Sequence, residues 1–119
     1  MAVTEYDIAA ALSTVEGITG EPYEPPTKSV GQGWPIWRNS DVQGTAGTCQ
    51  VTRVNWYVYV VMPGGDMNAP PVAARSLIQP ILDALAATTL TIEMAEPYQL
   101  INWQHPDSTI PVLRFTAFD

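Results

Sequence analysis

The stretch Val51-Thr52-Arg53-Val54-Asn55-Trp56-Tyr57-Val58-Tyr59-Val60-Val61-Met62, the turn Pro63-Gly64-Gly65-Asp66 and the run from Pro71 to Leu85 decide the fold. Val54, Trp56, Val58 and Val60 alternate with Arg53, Asn55, Tyr57 and Tyr59, the two-residue period of a strand. The first set suits a core and the second a half-wet face. A helix is expected from about Pro71 to Ala87. Pro71 fits its first position, where a missing N–H leaves nothing unpaired. Val72, Leu77, Ile78, Ile81, Leu82 and Leu85 form its apolar stripe, and Pro80 falls inside it at the loss of one backbone hydrogen bond. The unit orders no acid, base or nucleophile. Its turn lacks both Gly-rich phosphate-binding patterns, and Pro70-Pro71 removes two N–H groups that an anion would need. A small domain that works through its surfaces is expected.

Before this unit, residues 4–16 are expected to be helical. Thr4 is the N-cap with Asp7 three residues on, Glu5 and Asp7 suit the positive end of the dipole, and Ile8, Leu12 and Val15 form a stripe. Gly17 is a natural stop. Residues 17–33 are dense in Gly and Pro and read as a long loop. Trp34 to Arg38 reads as a short strand that Pro35 confines to a sheet edge or a strand start, and Asn39 to Thr48 as a polar hairpin connection. After the second helix come a strand at 89–96, with Leu90, Ile92 and Met94 on one face, and a strand at 109–118, with Leu113, Phe115 and Ala117 on its dry face. The expected fold is α+β: a mostly antiparallel four-stranded sheet with two helices on one face, in the order α-β-β-α-β-β. Its opposite face would carry Arg53, Asn55, Tyr57, Tyr59, Glu93, Ile110, Val112 and Arg114, a mixture enriched at protein interfaces.

The 119 residues suit a single domain, 1–119. Such a chain buries roughly 65% of its unfolded surface, enough for a core without staples. Charged residues are only 14%, against ~25% in typical soluble chains, so exposed apolar surface and oligomerisation are expected. Five Lys and Arg against twelve Asp and Glu give a net charge of −7. With no basic run, the chain is poorly suited to grip nucleic acid. No apolar run reaches the ~18 residues of a membrane span. The N-terminal residues lack the basic-then-apolar pattern of a signal peptide. A single cysteine, Cys49, allows no internal disulfide.

Cys49 and His105 could form a nucleophile–base pair only with an orienting third group. The expectation is instead a buried thiol at the start of a core strand and a solvated loop histidine. His105 and Asp107 fall short of a tetrahedral metal site. The scattered carboxylates read as solvated loop charges. The loop aromatics Tyr23, Trp34, Trp37, Tyr98 and Trp103 divide between core caps and interface anchors.

The opening helix Thr4 to Leu12, the strand–turn–helix Trp56 to Asp66 running into Leu77 to Leu85, and the ending Thr109 to Phe118 together resemble the tail terminator (tail completion, minor tail) proteins of long-tailed bacteriophages, in layout across most of the chain. The resemblance implies a small α/β sandwich and a hexameric ring that caps the finished tail tube, stops its polymerisation and meets the neck proteins of the head. It implies a virion location and assembly in the host cytoplasm. The partners implied are further copies of the chain, the tail-tube protein and a head-completion protein, with no membrane. DNA would pass the lumen without specific binding, and an acidic wall would repel it. No enzyme activity, cofactor or metal is expected. Trp34, Trp37, Arg38, Arg53, Tyr57, Tyr59, Trp103 and Arg114 are the candidate interface residues. Another connector, neck or tail-tube subunit is the first alternative. A ferredoxin-like ligand-binding domain or enzyme is the second, and it would require Asp66, His105 and Asp107 to converge on a cavity.

Overall fold

Helix α1 spans Glu5–Leu12 and begins as its sequence requires. Thr4 Oγ1 accepts from the Asp7 N–H at 3.3 Å and Asp7 Oδ2 accepts from the Thr4 N–H at 2.9 Å, which satisfies backbone donors that the first turn leaves free. The helix ends at Leu12, short of residue 16, and tight turns carry the chain on to Ile18. The computed structural model that shows this describes residues 3–45, 47–62, 71–101 and 109–119, with 71–74 at the backbone level. Helix α2 runs Pro71–Leu85 with Pro80 inside it. The expected turn at 63–66 lies outside the described residues.

Five strands follow the order β1-β2-β3-β5-β4: β1 Thr19–Gly20, β2 Gln32–Gln43, β3 Gln50–Val61, β4 Thr91–Ile101 and β5 Thr109–Phe118. β1 runs parallel to β2, and all other pairs are antiparallel. The class is α+β as expected, but among the described residues the sheet has five strands and is mixed. The added strand lies in the Gly- and Pro-rich segment read as loop. There Thr19 N–H donates to Gly31 at 2.9 Å and Glu21 N–H to Gly33 at 2.7 Å, so two residues suffice to extend the sheet. Gly20 makes room for this: a methyl group there would overlap the carbonyl of Ala9 on α1.

Two more boundaries differ. β2 continues through Asn39–Gln43, read as a connection, because these polar residues find partners far away in sequence. Asn55 Nδ2 donates to Asn39 Oδ1 at 2.7 Å and to Asp41 Oδ1 at 3.3 Å. β4 continues past residue 96 through Pro97 to Ile101, because β4 is a sheet edge and an edge strand tolerates a missing N–H. Pro35 stands likewise in β2, which is an edge except where two-residue β1 covers it.

The helix-side core holds Ile8, Ala11 and Leu12 of α1, Ile81 and Leu85 of α2, Trp56, Val58 and Val60 of β3, and Leu113, Phe115 and Ala117 of β5. These are the dry sets expected in β3 and β5. In β4 the expected set Leu90, Ile92 and Met94 breaks at Met94, which is 54% exposed. Glu93 is an extra residue there: Ile92 pairs with Ala117 and Met94 with Thr116. The bulge turns Met94 outward and Ala95 into the core.

The Gly20→Ala chain should lose roughly 1–3 kcal/mol, the usual cost of overpacking a tight contact, read as a lower urea midpoint with an unchanged slope.

Candidate interaction surface

The face of the sheet turned away from the helices has a small core of its own. Trp34, Tyr59, Val61 and Val112 are buried there, with Ile36, Tyr57, Leu100 and Ile110 packed against them. Cross-strand register builds it, since Trp34 pairs with Tyr59 and Val61 with Val112. Trp34 and Tyr59 lie 5.9 Å apart, centroid to centroid. The segment after β1 crosses the β2 edge to reach both faces. On the helix side Tyr23 meets Tyr6 edge to face at 5.9 Å. On the outer side Lys28 sits 5.8 Å over the Trp34 ring and pairs with Glu24 at 3.2 Å.

Beyond this covered end the face is open among the described residues and rich in arginine and tyrosine. Arg114 Nη2 and Nε donate to one Glu96 oxygen at 2.6 and 3.1 Å. Its guanidinium lies 4.0 Å from the Tyr98 ring centroid and 4.7 Å from that of Tyr57. Arg38 lies 4.4 Å from the same Tyr57 centroid. Arg53 pairs with Glu93 and sits 3.7 Å over Phe118. Each cation–π contact contributes about 0.5–2 kcal/mol according to its exposure. Together they hold long side chains in fixed positions. Arg38 is itself the extra residue of a bulge: Trp37 pairs with Trp56 and Asn39 with Asn55.

Burial pushes the Tyr59 phenol above its ordinary value, and the hydrogen bond and charge of Arg114 pull it partly back. Burial lowers the pKa of Arg114, but its hydrogen bonds to Glu96 and Tyr59 outweigh this and hold it above the usual arginine value.

The sequence's eight candidates are thus divided. Arg38, Arg53, Tyr57 and Arg114 share the outer face; Tyr59, expected half-wet there, is buried in its small core because Trp34 and Val112 close over it. Trp34 faces the same way but is fully buried, so it anchors the fold and offers no contact area. Trp37 is 59% exposed on the helix side of the sheet, where its Nε1 donates to Ser40 Oγ at 3.1 Å. Trp103 lies outside the described residues. Tyr98, Glu96, Phe118 and Met94 belong to the surface and were not among the eight. Continuing the alternation of Leu90, Ile92 and Met94 past Pro97 would have put Tyr98 on the helix side; the bulge at Glu93 is what turns it outward. Cys49, expected buried, is exposed in the β2–β3 connection with its Sγ against the Thr45 carbonyl at 3.0 Å. Among the described residues, no group of three or more His, Cys, Asp or Glu side chains is placed to hold a metal ion. Asp66, His105 and Asp107 lie outside them. No described helix is long and apolar enough to cross a membrane.

The fold favours the protonated Tyr59 phenol. The stability this residue contributes is full below the ordinary tyrosine value near 10 and falls as pH rises through the higher folded value. The urea midpoint should therefore hold up to about pH 10, the ordinary tyrosine value, drop as pH rises from there through the higher folded value, and drop less in Tyr59→Phe. Trp34 Nε1 is buried without a hydrogen-bond partner among the described residues. Trp34→Phe should therefore cost under about 1.5 kcal/mol, whereas Trp34→Ala should cost about 3–5 kcal/mol; equal losses in urea titrations would contradict this. Comparison with protein-family models, with curated proteins and with solved structures finds no match.

Proposed function

We propose that this chain is a virion structural protein, a tail terminator that closes into a ring on the end of a phage tail tube and joins it to the neck of the head. The ring is hexameric by the resemblance described above. The observation that carries the proposal is the open outer face: an Arg38–Tyr57–Arg114–Tyr98 stack that neither helix covers. Tyr and Arg are enriched among the few residues that dominate the energetics of protein contacts. Ion pairing and stacking hold these side chains in place before any partner arrives, which lowers the entropic cost of association.

Such a protein acts by shape. A heterologous contact repeated around an axis closes into a ring of fixed number. A ring seated on the last layer of a tube removes the surface on which the next layer would grow. The low charge of the chain suits subunits that bury much of their surface, and the excess of acids suits a lumen through which DNA slides. The proposal assigns the chain no catalysis and no cofactor.

Native mass spectrometry and negative-stain microscopy with the tube subunit of the same virus test this. Closed rings on tube ends, and tubes of limited length when the chain is present, are the expected result. Unlimited tube growth with the chain left monomeric would overturn it, and open-ended tubes of the chain itself would make it a tube subunit.

A further inference from the structure

Between β1 and β2, residues 21–30 form neither helix nor strand, yet they cross the sheet edge and bring Lys28 onto the outer face. The segment is pinned at its two ends. Glu21 N–H donates to the Gly33 carbonyl at 2.7 Å. At the far end Gly31 N–H donates to the Val61 carbonyl at 3.1 Å and Ser29 N–H to Gln32 Oε1 at 2.7 Å. Between these ends, no backbone hydrogen bond joins residues 22–28 to another described residue. Pro22, Pro25 and Pro26 have no N–H to offer. Among the described residues, two ring contacts fasten the middle to the body. Tyr23 meets Tyr6 through its ring edge and its hydroxyl, with 3.2 Å between the oxygens. Lys28 lies over the Trp34 ring. The ion pair of Lys28 is with Glu24, inside the segment, and would travel with it.

Beneath Lys28 the Trp34 ring is fully buried, and its Nε1 has no hydrogen-bond partner among the described residues. Trp56 Nε1 is in the same state, but within the helix-side core. We infer that residues 21–30 are a strap that lifts off Trp34 as a unit, hinged at its pinned ends, while the sheet and both helices stay folded. Segments with few buried apolar contacts and few backbone hydrogen bonds open far more readily than a core. Lifting breaks the Tyr6–Tyr23 and Lys28–Trp34 contacts and leaves the hydrogen bonds of Glu21 and Gly31 in place. Closing the strap also buries an N–H that water would otherwise satisfy, which offsets part of what the closed form gains. In the open form Trp34 joins the outer face beside Tyr59. The strap therefore decides whether that end of the face presents a lysine or an indole. The inference concerns the single chain and is independent of the ring reading.

Hydrogen exchange at the two indole N–H groups tests this, followed by NMR on the full chain with isotope-labelled tryptophan as urea is raised below the unfolding midpoint. Trp34→Phe and Trp56→Phe assign the two signals. The Trp34 N–H should exchange faster than that of Trp56 and with little dependence on urea, because lifting a strap exposes little surface. Exchange at Trp56 should rise steeply with urea, because it waits for the core to open. Equal urea slopes at the two indoles would mean that Trp34 is uncovered only by unfolding, and would overturn the inference. Tyr23→Ala removes one fastening and should speed Trp34 exchange about two- to tenfold, the worth of an aromatic pair, with Trp56 unchanged. Lys28→Ala should act in the same direction. No acceleration in either variant, or an equal acceleration at both indoles, would overturn the strap.

Discussion

Strand β3 is buried on both sides, and the rest of the structure answers that requirement. Val58 and Val60 are fully buried against the helices, while Tyr59 and Val61, pointing the other way, are 8% and 4% exposed. Each such side chain gains about 1.5–3 kcal/mol on leaving water, so both faces of the strand need cover. The helices supply it on one side. On the other, Trp34 and Val112 close over β3, and Lys28 is carried around the sheet edge to lie on the indole. The small second core is therefore local, and the sheet beyond it stays open.

That opening gives the surface its character. Where aliphatic cover stops, Tyr57, Tyr98 and Phe118 remain half in water, and guanidinium groups lie on them. An arginine in this position shields the ring and keeps its own charge near solvent. The same side chains that finish the fold of the monomer thereby leave a half-wet surface of aromatic rings and guanidinium groups.

The parts legible in the sequence were those set by near neighbours. Thr4 and Asp7 are three residues apart, and their box formed as read. The alternation in Val54–Val60 and Leu113–Ala117 named the helix-side core because a strand without a bulge keeps its period. Met94 was misassigned because the extra residue at Glu93 is defined by the partner strand, and nothing in β4 itself marks it. Asn39 and Asp41 read as connection because their strand state depends on Asn55 and Arg53, more than ten residues away. Among the aromatics, sequence separated neither Trp34 from Trp37 nor loop from strand at Tyr98. Which side of the sheet a side chain takes, and whether a distant loop lies on it, is decided by register and chain path.

Pro35 and Pro97 stand in the outer strands of the sheet and remove backbone donors from its margins. A free sheet margin is the usual route by which β-rich chains fuse into fibres. With one donor missing from each margin, edge-to-edge pairing would lose a hydrogen bond at these positions. Two pyrrolidine rings thus guard the sheet against growth at its edges.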